Sequence, residues 1–166
     1  MNKPVDKISK LDAARRQLRE AICLFFERRD MIAVHTLGAA SLQILHDLAK
    51  ARGAISFIKD NPMIRPEYKK QVFKKISEAE NFFKHAERDP DQILEFRPEV
   101  TRFFLFDALD LYQKLTGTLF REGKIYLVWF AASYPTLILE RKFMDKLNTE
   151  FNGVDLNDFG FFRTLL

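Results

Sequence analysis

The stretch Asn81-Phe82-Phe83-Lys84-His85 is the part of the chain whose residue types and spacing suit chemistry best. On a helix, Asn81 and His85 fall one turn apart, with Lys74 and Glu78 before them and Arg88 after them on the same side. An imidazole titrating near about 6.5 can move a proton, an amide beside it can orient the group being transferred, and nearby cations can offset charge on a developing phosphorane. That combination is what phosphodiester chemistry requires. His85 is then the acid or base, Asn81 the orienting group, and Lys84 and Arg88 the phosphate contacts. The same face also reads as a polar patch on a solvated helix, with no chemistry attached.

Two further histidines sit on one predicted helix. His35 is flanked by Gly38, Ala39 and Ala40, small residues that let another helix come close, so its imidazole is expected at a helix crossing. There it either completes the site around His85 or is an ordinary hydrogen-bonded core histidine. Arg29 lies six residues before it and is a further candidate phosphate contact. His46 follows eleven residues after His35, about 16 Å along a helix, so the two cannot share one metal ion. Near a helix C-terminus and next to Asp47, His46 reads as structural. A metal site inside a helical bundle would have to join His35 and His85 through Asp107 or Asp110, carboxylates that more often pair with Lys or Arg. No metal and no cofactor is expected.

Several enzyme classes are excluded by what the sequence lacks. It has no glycine-rich phosphate loop, no G-x-S-x-G elbow, no H-E-x-x-H and no paired cysteines. The lone Cys23 rules out an internal disulfide and falls on an apolar helix face, where it reads as core.

The elements that must position these groups are helical. Ser9 with Asp12 signals a helix start, and Leu11, Ala14, Leu18, Ile22 and Phe25 carry the apolar stripe from about 9 to 27. Asp30 caps a second helix with a stripe from Leu37 to Ala51, ended by Gly53. After a loop holding Pro62 and Pro66, Tyr68, Val72, Ile76, Ala79, Phe83 and Ala86 predict a third helix up to Asp89-Pro90. Asp91 to Arg97 reads as a linker. Pro98 opens a fourth helix to Thr116, apolar almost all round and so expected to be the most buried, with Gly117 beyond it. A fifth helix is predicted from Lys124 to Tyr134 and a sixth from Pro135 to about Leu147. The tail Phe159-Gly160-Phe161-Phe162 must dock on this chain or on a partner.

These elements predict an all-α, up-down bundle of four to six helices in one domain, 1–166, with a core of about 7–117 and a helical extension over 118–166. Residues 1–88 hold 18 Lys or Arg against 11 Asp or Glu, a balance of +7, whereas 89–166 hold 9 against 12, a balance of −3. A basic half can steer an anionic partner, though it is also an ordinary soluble surface. The longest apolar run, Ile125 to Ala132, is too short for a bilayer span and no charged leader opens the chain, so a cytoplasmic protein without membrane attachment is expected.

An all-helical chain of this size with Asn81 and Lys84-His85 on one helix resembles the HEPN superfamily, compact helical bundles that often dimerise. Its motif is an arginine followed after four to six residues by a histidine, commonly with Asn, Asp or His directly after the arginine. Glu80 stands where that arginine is expected. Arg29-Asp30-Met31-Ile32-Ala33-Val34-His35 meets the spacing literally. The likeness covers about the first 115 residues by architecture and some seven by motif. It implies a domain that binds RNA or a nucleotide, with weak metal-independent ribonuclease activity at His85, Asn81 and His35, and assembly as a homodimer. Val34 to Leu37 and Asn81 to Ala86 also resemble segments of a bacterial family of similar length, which implies no activity. The alternative is a non-enzymatic helical interaction protein whose 17 phenylalanines build its core and a dimer surface near the C-terminus.

Overall fold

The computed structural model describes residues 5–62, 64–87, 89–137, 149 and 153–166. Among them lie six α-helices and no strand: α1 (Lys10–Phe26), α2 (Met31–Lys50), α3 (Pro66–Phe82), α4 (Val100–Thr116), α5 (Arg121–Ser133) and α6 (Phe159–Leu165). The architecture is an all-α bundle. None of these helices is long and apolar enough to cross a membrane.

Local chemistry sets most boundaries. Ser9 Oγ accepts the Asp12 N–H at the start of α1, and the Asp30 carboxylate accepts the Ile32 N–H at the start of α2. Gly53 and Gly117, at φ 73° and 76°, adopt the left-handed conformation that closes α2 and α4. After α1 the same role falls to Arg28 at φ 55°, where the Arg28 N–H reaches Phe25 O and the Arg29 N–H reaches Leu24 O.

Four residues join α1 to α2, so the two run antiparallel. Ala14, Leu18, Ile22 and Phe25 of α1 are buried, as the periodicity requires. α2 packs against both α1 and α4 and meets α3, while α4, with as large a share of its residues buried, packs on α2, α1 and α5. Small residues make this possible. A Cβ on Gly38 would lie 2.9 Å from Leu105 Cδ2, and Ser41 buries its hydroxyl by donating to Ala14 O at 2.8 Å. α4 keeps Val100 exposed at its start.

α5 closes the bundle. A Cβ on Gly123 would fall 2.7 Å from Leu109 Cδ2, Tyr126 donates to Arg102 O, and Arg19 of α1 pairs with the buried Glu122 at 2.6 Å. Pro135 begins a short 3-10 turn, Pro135–Leu137; the rest of the predicted sixth helix lies outside the described residues. The phenylalanine-rich tail forms α6 and docks on its own chain. Phe162 is fully buried and stacks on Phe26 at 5.4 Å, Phe159 meets Phe25 and Trp129, and Trp129 Nε1 donates to Leu156 O. Burial of this tail needs no second copy.

Candidate functional site

α3 ends a turn earlier than its periodicity predicts, at Phe82. Phe83 turns inward, its ring 5.9 Å from His35 and 5.1 Å from Phe96, while Ala86 beyond it is exposed and has nothing to bury against. Three further bonds follow the end of the helix, Phe83 N–H to Ala79 O at 3.0 Å and the Lys84 and His85 N–H groups to Asn81 O at 3.2 and 3.0 Å. His85 thus stays one hydrogen-bonded turn from Asn81, and both side chains are exposed. Lys84 is paired with Glu80 at 2.6 Å, so the residue occupying the expected arginine position holds the neighbouring cation. Arg88 lies outside the described residues.

His35 sits differently. It is 1% exposed, its Nδ1 is 3.0 Å from Thr101 Oγ1, and three phenyl rings, Phe83, Phe96 and Phe104, surround it at 4.8 to 5.9 Å. Its Nε2 has no hydrogen-bond partner among the described residues. Burial pushes the imidazole down to about 4, with Glu80 pulling the value upward and Lys84 downward. His35 is a neutral ring at pH 7.

This histidine forms part of the wall of a cleft of about 560 Å³ between α2, α3 and the Gln92–Arg97 linker. α3 contributes Lys75, Ile76, Glu78 and Ala79. The linker contributes Gln92, Leu94, Phe96 and Arg97, and Val100 begins α4 beside it. Lys75 is occupied by Glu78 at 3.1 Å, whereas the exposed Arg97 has no ion-pair partner among the described residues. The volume suits a small organic ligand or one unit of a larger one. Neither Asn81 nor His85 lines this cleft. Of the predicted site residues, His35 stands in it, and Lys84 lies near enough to act on the His35 charge.

Arg29 belongs elsewhere. It pairs with Glu27 at 3.1 Å and borders a second, smaller cleft of about 300 Å³ together with Arg28, Glu99 and Arg102. Arg28 is itself engaged, donating to Asn157 O at 2.7 Å and lying over the Phe159 ring at 5.1 Å.

The metal alternative meets a different arrangement from the one it requires. Asp107 is fully buried and accepts from Ser56 Oγ at 2.5 Å, Phe57 N at 2.8 Å and Ile58 N at 3.1 Å. Burial raises its carboxyl above the usual range in spite of these bonds. Asp110 is held by Lys114 at 2.5 Å. No group of three or more His, Cys, Asp or Glu side chains that could hold a metal occurs among the described residues. Asp107 instead fastens the loop after α2, whose other anchor is Asp60, set 3.0 Å from His46 Nε2. Lys59 between them donates to Gln43 Oε1, and burial lowers its pKa. Cys23 is half-buried in α1, and its burial raises the thiol pKa, away from nucleophile chemistry.

Three residues of the cleft, Lys75, Phe96 and Arg97, and Thr101, the buried partner of His35, carry no recognisable signal in the sequence. Phe96-Arg97 just before Pro98 pairs an aromatic with a cation in an extended segment, a pattern that could have marked a binding edge. Thr101 is a hydroxyl on an otherwise apolar helix face, and only the fold reveals its partner. No family model matches the chain, and no curated protein or solved structure matches it either.

Proposed function

We propose that the chain is a HEPN-like helical domain that binds RNA or a nucleotide, with one base of the ligand seated in the His35 cleft. The observation that carries this reading is a buried, uncharged imidazole with an unpaired ring nitrogen in the wall of a ligand-sized cleft. Phe96 forms part of the aromatic surface there, and Arg97 is available for a phosphate at the rim. Lys70 and Lys74, exposed on α3, add cations on the same element.

The reading is one of binding. A ring held neutral down to about pH 4 is a weak base and a poor proton shuttle at pH 7. His85, which the HEPN resemblance casts as acid or base, does not line the cleft.

Anisotropy of a fluorescent single-stranded RNA, with a mononucleotide as competitor, tests this at about 50 mM and about 200 mM salt. The expected result is binding that weakens with salt, falls in Arg97→Ala and His35→Gln, and is unmoved by His85→Ala. Absence of binding at the lower salt removes the reading, as does affinity indifferent to both Arg97→Ala and His35→Gln. Displacement by the mononucleotide identifies a free nucleotide as sufficient ligand; failure to displace assigns the site to RNA.

A further inference from the structure

We infer that the cleft of about 300 Å³ beside Arg28, Arg29 and Arg102 binds a small phosphomonoester, a dianionic phosphate carried on a flat or apolar group. The inference goes beyond the nucleotide reading and stands apart from it, because this cleft shares no lining residue with the His35 cleft.

Three elements bring the cations and the rings together. The turn after α1 supplies Arg28 and Arg29, the first turn of α4 supplies Arg102, and α6 supplies Phe159. The Arg28 guanidinium lies 5.1 Å from the centre of the Phe159 ring, and that of the half-buried Arg102 lies 5.7 Å from the centre of the Trp129 ring. Those two rings meet at 5.7 Å, so both guanidinium groups stand over one aromatic pair. Neither has a carboxylate partner among the described residues: Arg28 donates to Asn157 O at 2.7 Å and Arg102 to Tyr134 Oη at 3.1 Å. Arg29 reaches Glu27 through Nε, which leaves its terminal nitrogens to a ligand. Arg28 and Arg29 are exposed, so an anion meets them directly from solvent. A guanidinium presents a planar fork of donors that matches two phosphate oxygens at once.

Charge and shape name the anion. Three arginines against Glu99 give the lining a balance of +2. Glu27 lies outside the lining, and the Asp30 carboxylate sits on the Ile32 N–H, at the positive end of α2. A phosphomonoester carries about −1.5 to −2 at pH 7 and matches that balance, whereas a carboxylate or a phosphodiester carries a single charge. The site is thus suited to a terminal phosphate and not to the backbone of a nucleic acid. Phe25, Met31, Pro98 and Phe159 form the rest of the wall, apolar surface that inorganic phosphate leaves wet and an aryl or alkyl group covers. The volume stands at the lower end of ligand clefts, which limits the guest to a small molecule.

Calorimetric titration of the full chain at pH 7 with phenyl phosphate, inorganic phosphate, benzoate and dimethyl phosphate tests the inference. Phenyl phosphate is expected to bind about tenfold more tightly than each of the others. It is also expected to change the emission of Trp129, the one tryptophan, whose ring lies against Phe159 and under Arg102. Arg29→Ala, at a side chain 66% exposed, is expected to weaken phenyl phosphate about tenfold and to leave the melting temperature unchanged. Arg102→Lys keeps the charge and removes the fork, with a loss of about fivefold or more expected. Absence of phenyl phosphate binding overturns the inference, as does equal affinity for benzoate or dimethyl phosphate. Heat without a change in Trp129 emission, or affinity indifferent to both variants, overturns it too. RNA binding without phenyl phosphate binding removes this inference alone, whereas phenyl phosphate binding without RNA binding removes only the nucleotide reading.

Discussion

Thr101 Oγ1 lies 3.0 Å from His35 Nδ1, a contact spanning 66 positions of sequence that fixes one edge of a buried imidazole, while Nε2 on the other edge is buried without a partner among the described residues. Burial of the ring also makes stability depend on pH. The folded value of His35, about 4, lies below the ordinary 6.5. Above pH 6.5 both folded and unfolded chains hold the ring neutral, and its contribution is complete. As pH falls from 6.5 toward 4 the unfolded chain gains a proton that the folded one refuses, so stability drops, by up to about 3 kcal/mol. Asp107 acts in the opposite sense, since its raised carboxyl takes up a proton in the fold first. Urea unfolding across this range should show a flatter profile for His35→Gln than for the unmodified chain. Parallel profiles would mean the ring is not held neutral.

Arg28 occupies a position where glycine closes a helix without strain, and its side chain gives the reason. The left-handed backbone at φ 55° costs about 1–2 kcal/mol, against which stand the bond to Asn157 O and the contact with the Phe159 ring. Arg28→Gly should therefore leave α1 intact and loosen α6. Amide hydrogen exchange over 159–165 is expected to quicken while exchange over Ala14 to Phe25 stays unchanged; uniform quickening would contradict the assignment.

Asp107 holds a loop with no regular structure of its own, through two backbone N–H groups and the Ser56 hydroxyl. Asp107→Asn brings an amide NH₂ among donors and leaves at least one of them unpaired. The expected loss is about 2–4 kcal/mol, and Ser56→Ala should cost less, about 1 kcal/mol. Equal losses in chemical denaturation would place the strength of this anchor in the Ser56 bond alone.

The tail provides a packing test. Phe162 is fully buried against Phe26, whereas Phe161 beside it is only half-buried. Phe162→Ala should destabilise the chain by about 3–5 kcal/mol and Phe161→Ala by clearly less. A reversed order would mean that α6 docks by its other face.

How much of this was readable in advance depended on the range of the forces involved. Ser9, Asp30, Gly53 and Gly117 act within a few residues of themselves, and the helix ends they mark were legible. The end of α3 was not, because Phe83 leaves the helix for two rings, one 48 positions earlier on α2 and one on the linker. The apolar circumference of α4 was legible as a buried helix, whereas the partner that Gly38 lets approach, Leu105 of α4, shows only in the fold. At the site, His35 was legible as a histidine facing a neighbouring helix. Its expected companions Asn81 and His85 were chosen by helical spacing; one hydrogen-bonded turn does join them, but neither lines the cleft. Arg97 comes to the cleft from the linker and Thr101 to His35 from α4, and no local pattern announces either.

The most direct measurement is the location of a bound base. RNA carrying a photoreactive thiouridine, cross-linked to the full chain and mapped by mass spectrometry of the peptides, reports which segment the base touches. The account predicts cross-links within Gln92 to Arg97 or on the Ile76–Ala79 face of α3, abolished by excess uridine. Cross-links confined to the Asn81–His85 turn, or to Arg28 and Arg29, would contradict it.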